Sequence, residues 1–228
     1  MSDREAAIGS RLGAVVLDFD GLILDTETSA FVTMQAAFAD HGVELTLEAF
    51  SALLGRADNR PWVEWLEEEV GSPIEREAVH ARRLAAHHAL VAEQQVLPGV
   101  VEVLDQADDL GIPALVASSS PRYWIDQHLE RLGLLDRFAG LFTREDVDRA
   151  KPWPDLYLAA VGSVGVEPAR AIAFEDSYNG SLAATAAGIF CVAVPSEITG
   201  HQDFTHCDLV VASLADVDLR ALAHIIPR

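Results

Sequence analysis

Two cysteines leave no room for a disulfide framework, and Cys191 and Cys207 have no metal-ligand spacing, so a reducing, cytoplasmic setting is the expectation. Lysine is scarcer still: 16 residues are basic and only Lys151 among them is lysine. Positive charge of either kind is short, with 36 acidic residues setting the net charge at -20. Such a chain repels nucleic acid and anionic membrane, and neither is expected as a partner. Long apolar runs are missing too. The longest weakly polar stretch, residues 182–195, is too short and too rich in Gly and Ala to span a bilayer, and residues 1–11 are polar rather than a signal segment. Internal repeats and low-complexity tracts are absent from the sequence.

What remains is a foldable chain. Hydrophobic residues make up 50% of it, enough for a substantial core in one large domain or in a domain carrying an insertion. Residues 13–19 (GAVVLDF) read as a strand buried on both faces, as in a parallel sheet, with Gly21 permitting a sharp turn after it. Residues 26–92 are helical in pattern. Phe31, Met34 and Phe38 recur at helical spacing and Gly42 can close that helix. Pro61 opens a segment with Trp62, Trp65 and Leu66 on one side, and a further helix covers residues 74–91. Beyond Leu97-Pro98-Gly99 helices and strands alternate. Residues 100–110 read as a helix closed by Gly111, and strands are expected at 113–117, 171–174, 189–194 and 208–212. Ser120 is expected to cap a helix opened by Pro121, and Ser177 a helix that ends at Gly188. The fold class is therefore α/β. A Rossmann-like parallel sheet core covers residues 1–25 and 93–228, and an inserted α-helical cap domain covers residues 26–92.

Open α/β sheets bind ligands beyond the carboxyl ends of their strands. The expected strands deliver Asp18 and Asp20 there, then Ser118 with Ser119 and Ser120 behind it, then Glu175, Asp176 and Ser177. Lys151 opens the helix before the strand that carries Glu175. Carboxylates crowded at one rim repel one another unless a cation lies between them. An all-oxygen set suits Mg2+, for which Asp18, Asp176 and a carbonyl of the Asp20 turn suffice. Taken alone, Asp176 reads equally well as a helix cap or turn former; the whole set does not. Asp18 is able to attack phosphorus and form an aspartyl-phosphate. Asp20, two residues on, can protonate a leaving alkoxide and then deprotonate water. Lys151 and the metal would offset charge on the phosphoryl oxygens, and Ser118 with the N–H groups after it would hold one of them. A lone lysine is ordinarily a solvated one. Ammonium and guanidinium are not interchangeable, however, and its place just before Pro152 favours a functional reading.

The motifs stand in a telling order. Asp18-Phe19-Asp20-Gly21-Leu22-Ile23-Leu24-Asp25-Thr26-Glu27 comes first, then Ser118, then Lys151-Pro152, then Phe174-Glu175-Asp176-Ser177 followed by Asn179-Gly180. With them the chain resembles the haloacid dehalogenase superfamily of phosphohydrolases, and within it the β-phosphoglucomutase-like group with a helical cap. The likeness runs from Leu12 to about Leu219. The resemblance implies a phosphoric monoester hydrolase with Asp18 as nucleophile, Asp20 as acid–base, and Mg2+ held by Asp18, the Asp20 carbonyl and Asp176 with Glu175 close by. It argues against the metal-free dehalogenase branch, which lacks an acid at the Asp20 position. β-Phosphoglucomutases carry a cap histidine where this chain has Ala30. They also carry an arginine a few residues after the cap-loop glycine, whereas here Gly55 is followed directly by Arg56 and Asp58 stands at the expected place. Weak cap contacts favour simple hydrolysis over re-binding of a bisphosphate.

The loop at residues 54–60 is the candidate for substrate selection. Gly55 and Arg56 are assigned to substrate binding together with Ser118 and Ser119; Arg56 and Arg60 read equally as solvated arginines. Trp62 and Trp65 read as packing of the helical insertion, and the adjacent His87 and His88 as packing or exposed side chains rather than metal ligands. Arg122 either reaches phosphate or lies on the surface. The expected partner is a small phosphorylated metabolite such as a sugar phosphate, acted on by a monomer or homodimer. Two alternatives remain: a β-phosphoglucomutase-type phosphotransferase, and a non-enzymatic phospho-acceptor signalling domain. A nicotinamide dehydrogenase is not expected, since no G-x-G-x-x-G follows the first strand.

Overall fold

Strands buried at every position need cover on both faces, and four such strands form the centre of the sheet. They are β1 (Ala14–Leu17), β2 (Ala114–Ala117), β4 (Ala171–Glu175) and β5 (Phe190–Ala193), each buried along its whole length. The computed structural model describes residues 12–54 and 61–226. Two short strands, β3 (Gly140–Phe142) and β6 (Leu209–Val210), complete a six-stranded sheet in the order β3-β2-β1-β4-β5-β6. Every pairing is parallel, with Val16 opposite Leu115 on one side and Ala173 on the other. The strand order reverses direction between β1 and β4, which is where a crevice for ligands opens in a doubly wound sheet.

The helices of this unit obey simple patterning. In α5 (Val100–Leu110), Val100, Val103, Leu104, Ala107 and Leu110 are buried at the i, i+3, i+4, i+7 spacing of one helical face. Burying each large member contributes roughly 1.5–3 kcal/mol. Gly111, at φ 67°, ends the helix and returns its N–H to Ala107 and Asp108. The helices α7 (Asp155–Ser163) and α8 (Tyr178–Ala186) lie against a sheet face of small residues, with Leu156, Tyr157, Ala160, Ala183 and Ala184 in the same cluster as Ala14, Ala117 and Ala173. The other described α-helices of this unit are α6 (Arg122–Arg131) and α9 (Leu219–Ile225).

Residues Asp25–Gln94 form a second compact unit, and Met1–Leu24 with Gln95–Arg228 the first. Leu24 pairs with Val96, and the Leu97 N–H donates to the Ile23 carbonyl at 2.9 Å, so the chain leaves and re-enters the sheet unit at adjacent points. The second unit holds α1 (Thr26–Ala39), α2 (Leu47–Leu54), α3 (Trp62–Val70) and α4 (Arg76–Glu93). Asp25 caps α1 by accepting from the Thr28 N–H. Phe38 packs against both tryptophans, with ring centroids 6.3 Å from Trp62 and 4.7 Å from Trp65. The tryptophans thus pack inside the helical unit, as their spacing suggested. His87 is buried in α4. Among the described residues, no helix is long and apolar enough to cross a membrane.

Candidate active site

The site grows out of the end of β1. The Asp18 N–H donates to the Phe174 carbonyl at 3.0 Å, so the β1–β4 ladder carries Asp18 to the rim. The chain then turns sharply. Phe19, fully buried, anchors the turn, and its carbonyl accepts from Ile23 and Leu24. Gly21 takes φ 80°, a conformation that side chains disfavour, and donates to the Leu24 carbonyl at 2.8 Å. This tight loop holds Asp20 beside β2. The β2–β3 ladder likewise extends to Ser118, whose N–H donates to Phe142 at 2.9 Å.

Lys151 is the hub. Its ammonium lies 2.5 Å from Asp18 Oδ1 and 2.6 Å from Glu175 Oε1, in a side chain 7% exposed. It sits in a turn before α7, on the N-terminal side of a cis Lys151–Pro152 peptide, rather than opening the helix as the sequence suggested. Glu175, at the end of β4, is fully buried and surrounded by donors. Tyr157 donates to Oε1 and Ser177 to Oε2 at 3.2 Å, while Ser177 Oγ accepts from Gly180 N–H and so caps α8. Gly180 is part of this packing: a Cβ there would land on the Glu175 carboxylate. Asp176 is buried next to it, and one oxygen each from Asp18, Glu175 and Asp176 lie within 4.8 Å of one another.

Burial, then the charge of Glu175, pushes the Asp18 carboxyl up to about 8, with Lys151 pulling the other way. Burial alone would lower Lys151, but Asp18 and Glu175 outweigh it and hold the ammonium protonated well above its ordinary range. Burial, reinforced by Glu175, raises Tyr157 and keeps its phenol a donor.

The donor set fits the cation that the sequence implies. Three buried carboxylates lie together, two of them paired with one ammonium, which leaves two formal negative charges uncompensated, the charge of one divalent ion. All the ligand atoms are oxygens, as Mg2+ requires. The oxygens of Glu175 are already engaged by Lys151, Tyr157 and Ser177, so Asp18 and Asp176 are the better direct ligands.

A second cluster surrounds Asp20. Trp124 Nε1 donates to Oδ1 at 3.0 Å, and Ser120 Oγ donates to Oδ2 at 2.5 Å, with Ser118 Oγ at 3.4 Å from Oδ2. Ser120 therefore does not cap the following helix. Pro121, whose ring carries no hydrogen-bonding group, occupies the cap position, and the Ser120 hydroxyl goes to Asp20. Ser119 is exposed, and the serines that reach Asp20 lie on either side of it. Arg122 is tied to β3 and to the loop after it, donating to the Leu141 carbonyl at 2.6 Å and to Asp146 at 2.8 Å. Gly55 and Arg56, with Asp58 and Arg60, lie outside the described residues. Sequence reasoning missed Trp124 and Tyr157, since both belong to helices and meet the site only through the fold.

Comparison with known proteins assigns the class of this parallel sheet with its acidic rim. The haloacid dehalogenase-like hydrolase model matches residues 12–188. The chain belongs to that family and is a hydrolase. It is 40% identical over 209 residues to a putative phosphatase of Bacillus subtilis, YhcW, covering 92% of this chain and 95% of the relative. It is 29% identical over 212 residues to hexitol phosphatase B of Escherichia coli, covering 92% and 96%. Among solved structures it is similar to a putative β-phosphoglucomutase of Thermotoga maritima, with a TM-score of 0.76 and 25% identity over 94% of this chain and 100% of that one.

Proposed function

We propose that this phosphoric monoester hydrolase is a magnesium-dependent phosphatase of small phosphorylated metabolites, working through an aspartyl-phosphate on Asp18. The observation that carries the reading is the buried group of Asp18, Glu175 and Asp176, with the Lys151 ammonium bound to the first two. Relatives named as a putative phosphatase and a hexitol phosphatase support a sugar-like phosphate ester as substrate.

In this mechanism an Asp18 carboxylate oxygen attacks phosphorus, and the ester P–O bond breaks with its electron pair leaving on the alkoxide. Asp20 gives that oxygen a proton. Asp20 then takes a proton from water, whose oxygen attacks phosphorus and breaks the bond to Asp18. Inorganic phosphate leaves and both carboxylates return to their starting state. Mg2+, held by Asp18, Asp176 and the Asp20 carbonyl, would offset charge on the phosphoryl oxygens. Lys151 adds positive charge beside Asp18, and Glu175 with Tyr157 fixes the lysine in place. Ser118, with Ser119 and the backbone N–H groups beside it, holds a phosphoryl oxygen. The helical unit takes the cap role that the family resemblance implies, with Gly55 and Arg56 in its substrate loop.

Asp18→Asn removes the nucleophile and is expected to lower phosphate release by about 10³-fold or more without loss of folding. Near-normal turnover in a folded Asp18→Asn protein would sink the covalent route. The likeness to a putative β-phosphoglucomutase favours one second reading, phosphoryl transfer within a hexose phosphate. Rapid conversion of glucose 1-phosphate to glucose 6-phosphate with little free phosphate would select it.

A further inference from the structure

Asp20 is held asymmetrically, and the asymmetry is chemical. Its Oδ1 faces an indole N–H of Trp124 at 3.0 Å, whereas its Oδ2 faces hydroxyls, Ser120 Oγ at 2.5 Å and Ser118 Oγ at 3.4 Å. An indole nitrogen is a donor only, while a hydroxyl both donates and accepts. A proton on Oδ1 would point at the indole hydrogen and break that bond. A proton on Oδ2 is tolerated, because the Ser120 hydroxyl can rotate and accept it. The two oxygens also face different ground. Ser118 ends β2 at the rim where a phosphoryl oxygen is to be held, and Oδ2 is on its side; Oδ1 is turned to α6. Trp124 itself is fixed, 7% exposed and edge-on to His128 with ring centroids 4.2 Å apart.

We propose that Trp124 is a positioning residue that assigns the two oxygens of Asp20, keeping Oδ1 a permanent acceptor so that Oδ2 alone gives and takes the proton. The proposal rests on the phosphatase reading above. In the first half-reaction the Oδ2 proton passes to the departing alkoxide as the ester P–O bond breaks, leaving Asp20 charged and accepting from both Trp124 and Ser120. In the second, water yields its proton to Oδ2 while its oxygen attacks phosphorus, and the starting arrangement returns. Ser120 serves both states by turning its hydroxyl.

The test separates proton delivery from folding. The parameter kcat/KM reads the steps up to phosphoryl transfer onto Asp18. An alkyl phosphate, here glucose 6-phosphate, needs leaving-group protonation; p-nitrophenyl phosphate, with its stable leaving phenolate, needs little. Trp124→Phe is expected to lower kcat/KM for the alkyl ester about 30-fold and for the aryl ester less than about 3-fold. Equal losses on both esters, or no loss on either, would overturn the assignment. A wild-type protein inactive on every phosphate ester would instead overturn the phosphatase reading, and the assignment with it. An activity-free measurement covers a Trp124→Phe chain that does not fold. In folded Asp20→Ala the Trp124 indole N–H resonance must shift upfield relative to wild type, because its acceptor is gone; an unmoved resonance refutes the contact.

Discussion

At the scale of single residues, the site depends on side chains that touch its charges without carrying them. Tyr157 lies wholly buried in α7 and donates to Glu175, which in turn faces Lys151. Tyr157→Phe deletes that donor while the other donors to Glu175 remain. The expected cost is about 1.5–3 kcal/mol in stability, together with roughly tenfold in phosphate release as Lys151 loses its fixed counter-ion. An unchanged denaturation midpoint in this variant would contradict the role. The residues legible in the sequence were those that end strands. Asp18, Ser118, Glu175 and Asp176 each follow an apolar run, and a lone lysine in an arginine-using chain stands out. Trp124 and Tyr157 carry no such mark, because their partners are distant in sequence and both are ordinary helix residues of a buried face.

At the scale of elements, the helix after β4 is set by what lies beneath it. Gly180 occupies the first turn of α8, where alanine would normally favour the helix by about 1 kcal/mol. Here a Cβ would displace the Glu175 carboxylate. Gly180→Ala is therefore expected to lower kcat/KM by at least about tenfold even where helix content is unchanged. Circular dichroism beside a phosphate-release assay checks this; full activity would show that Glu175 has room to move. The long apolar strands, and helices such as α5 with its closing Gly111, were readable from pattern alone. β3 was not: it is three half-buried residues at the sheet edge, too short for any periodicity. Ser120 was misread because Ser-Pro before a helix ordinarily signals a cap. Only the folded chain brings a stronger competitor, Asp20, to that hydroxyl.

At the scale of the molecule, charge dominates. A net charge of -20 makes general salt screening favourable to the folded state, so a specific cation effect must be measured at constant ionic strength. Under that condition Mg2+ is expected to raise the melting temperature of the wild-type protein. A free concentration of about 100 Kd corresponds to about 2.7 kcal/mol. Asp176→Asn should abolish the shift while leaving the metal-free melting temperature within a few degrees. An equal shift in both proteins would remove Asp176 from the ligand set. The net acidity and the α/β alternation were plain in the sequence. The meeting of the carboxylates with Lys151 at one rim was expected as well; the pairing of that ammonium with both Asp18 and Glu175 was not, since it depends on side chains from distant segments.

The single lysine has one more consequence. Because the chain's sole side-chain amine is the one clasped between Asp18 and Glu175, lysine enriched with a heavy nitrogen isotope at its ε-nitrogen alone places one label in the whole protein, beside the proposed nucleophile. A spectrum of that nucleus holds a single line, with no surface background to subtract. Its movement on adding a cation or an ester reports the reacting centre directly, in a protein that needs no engineered tag.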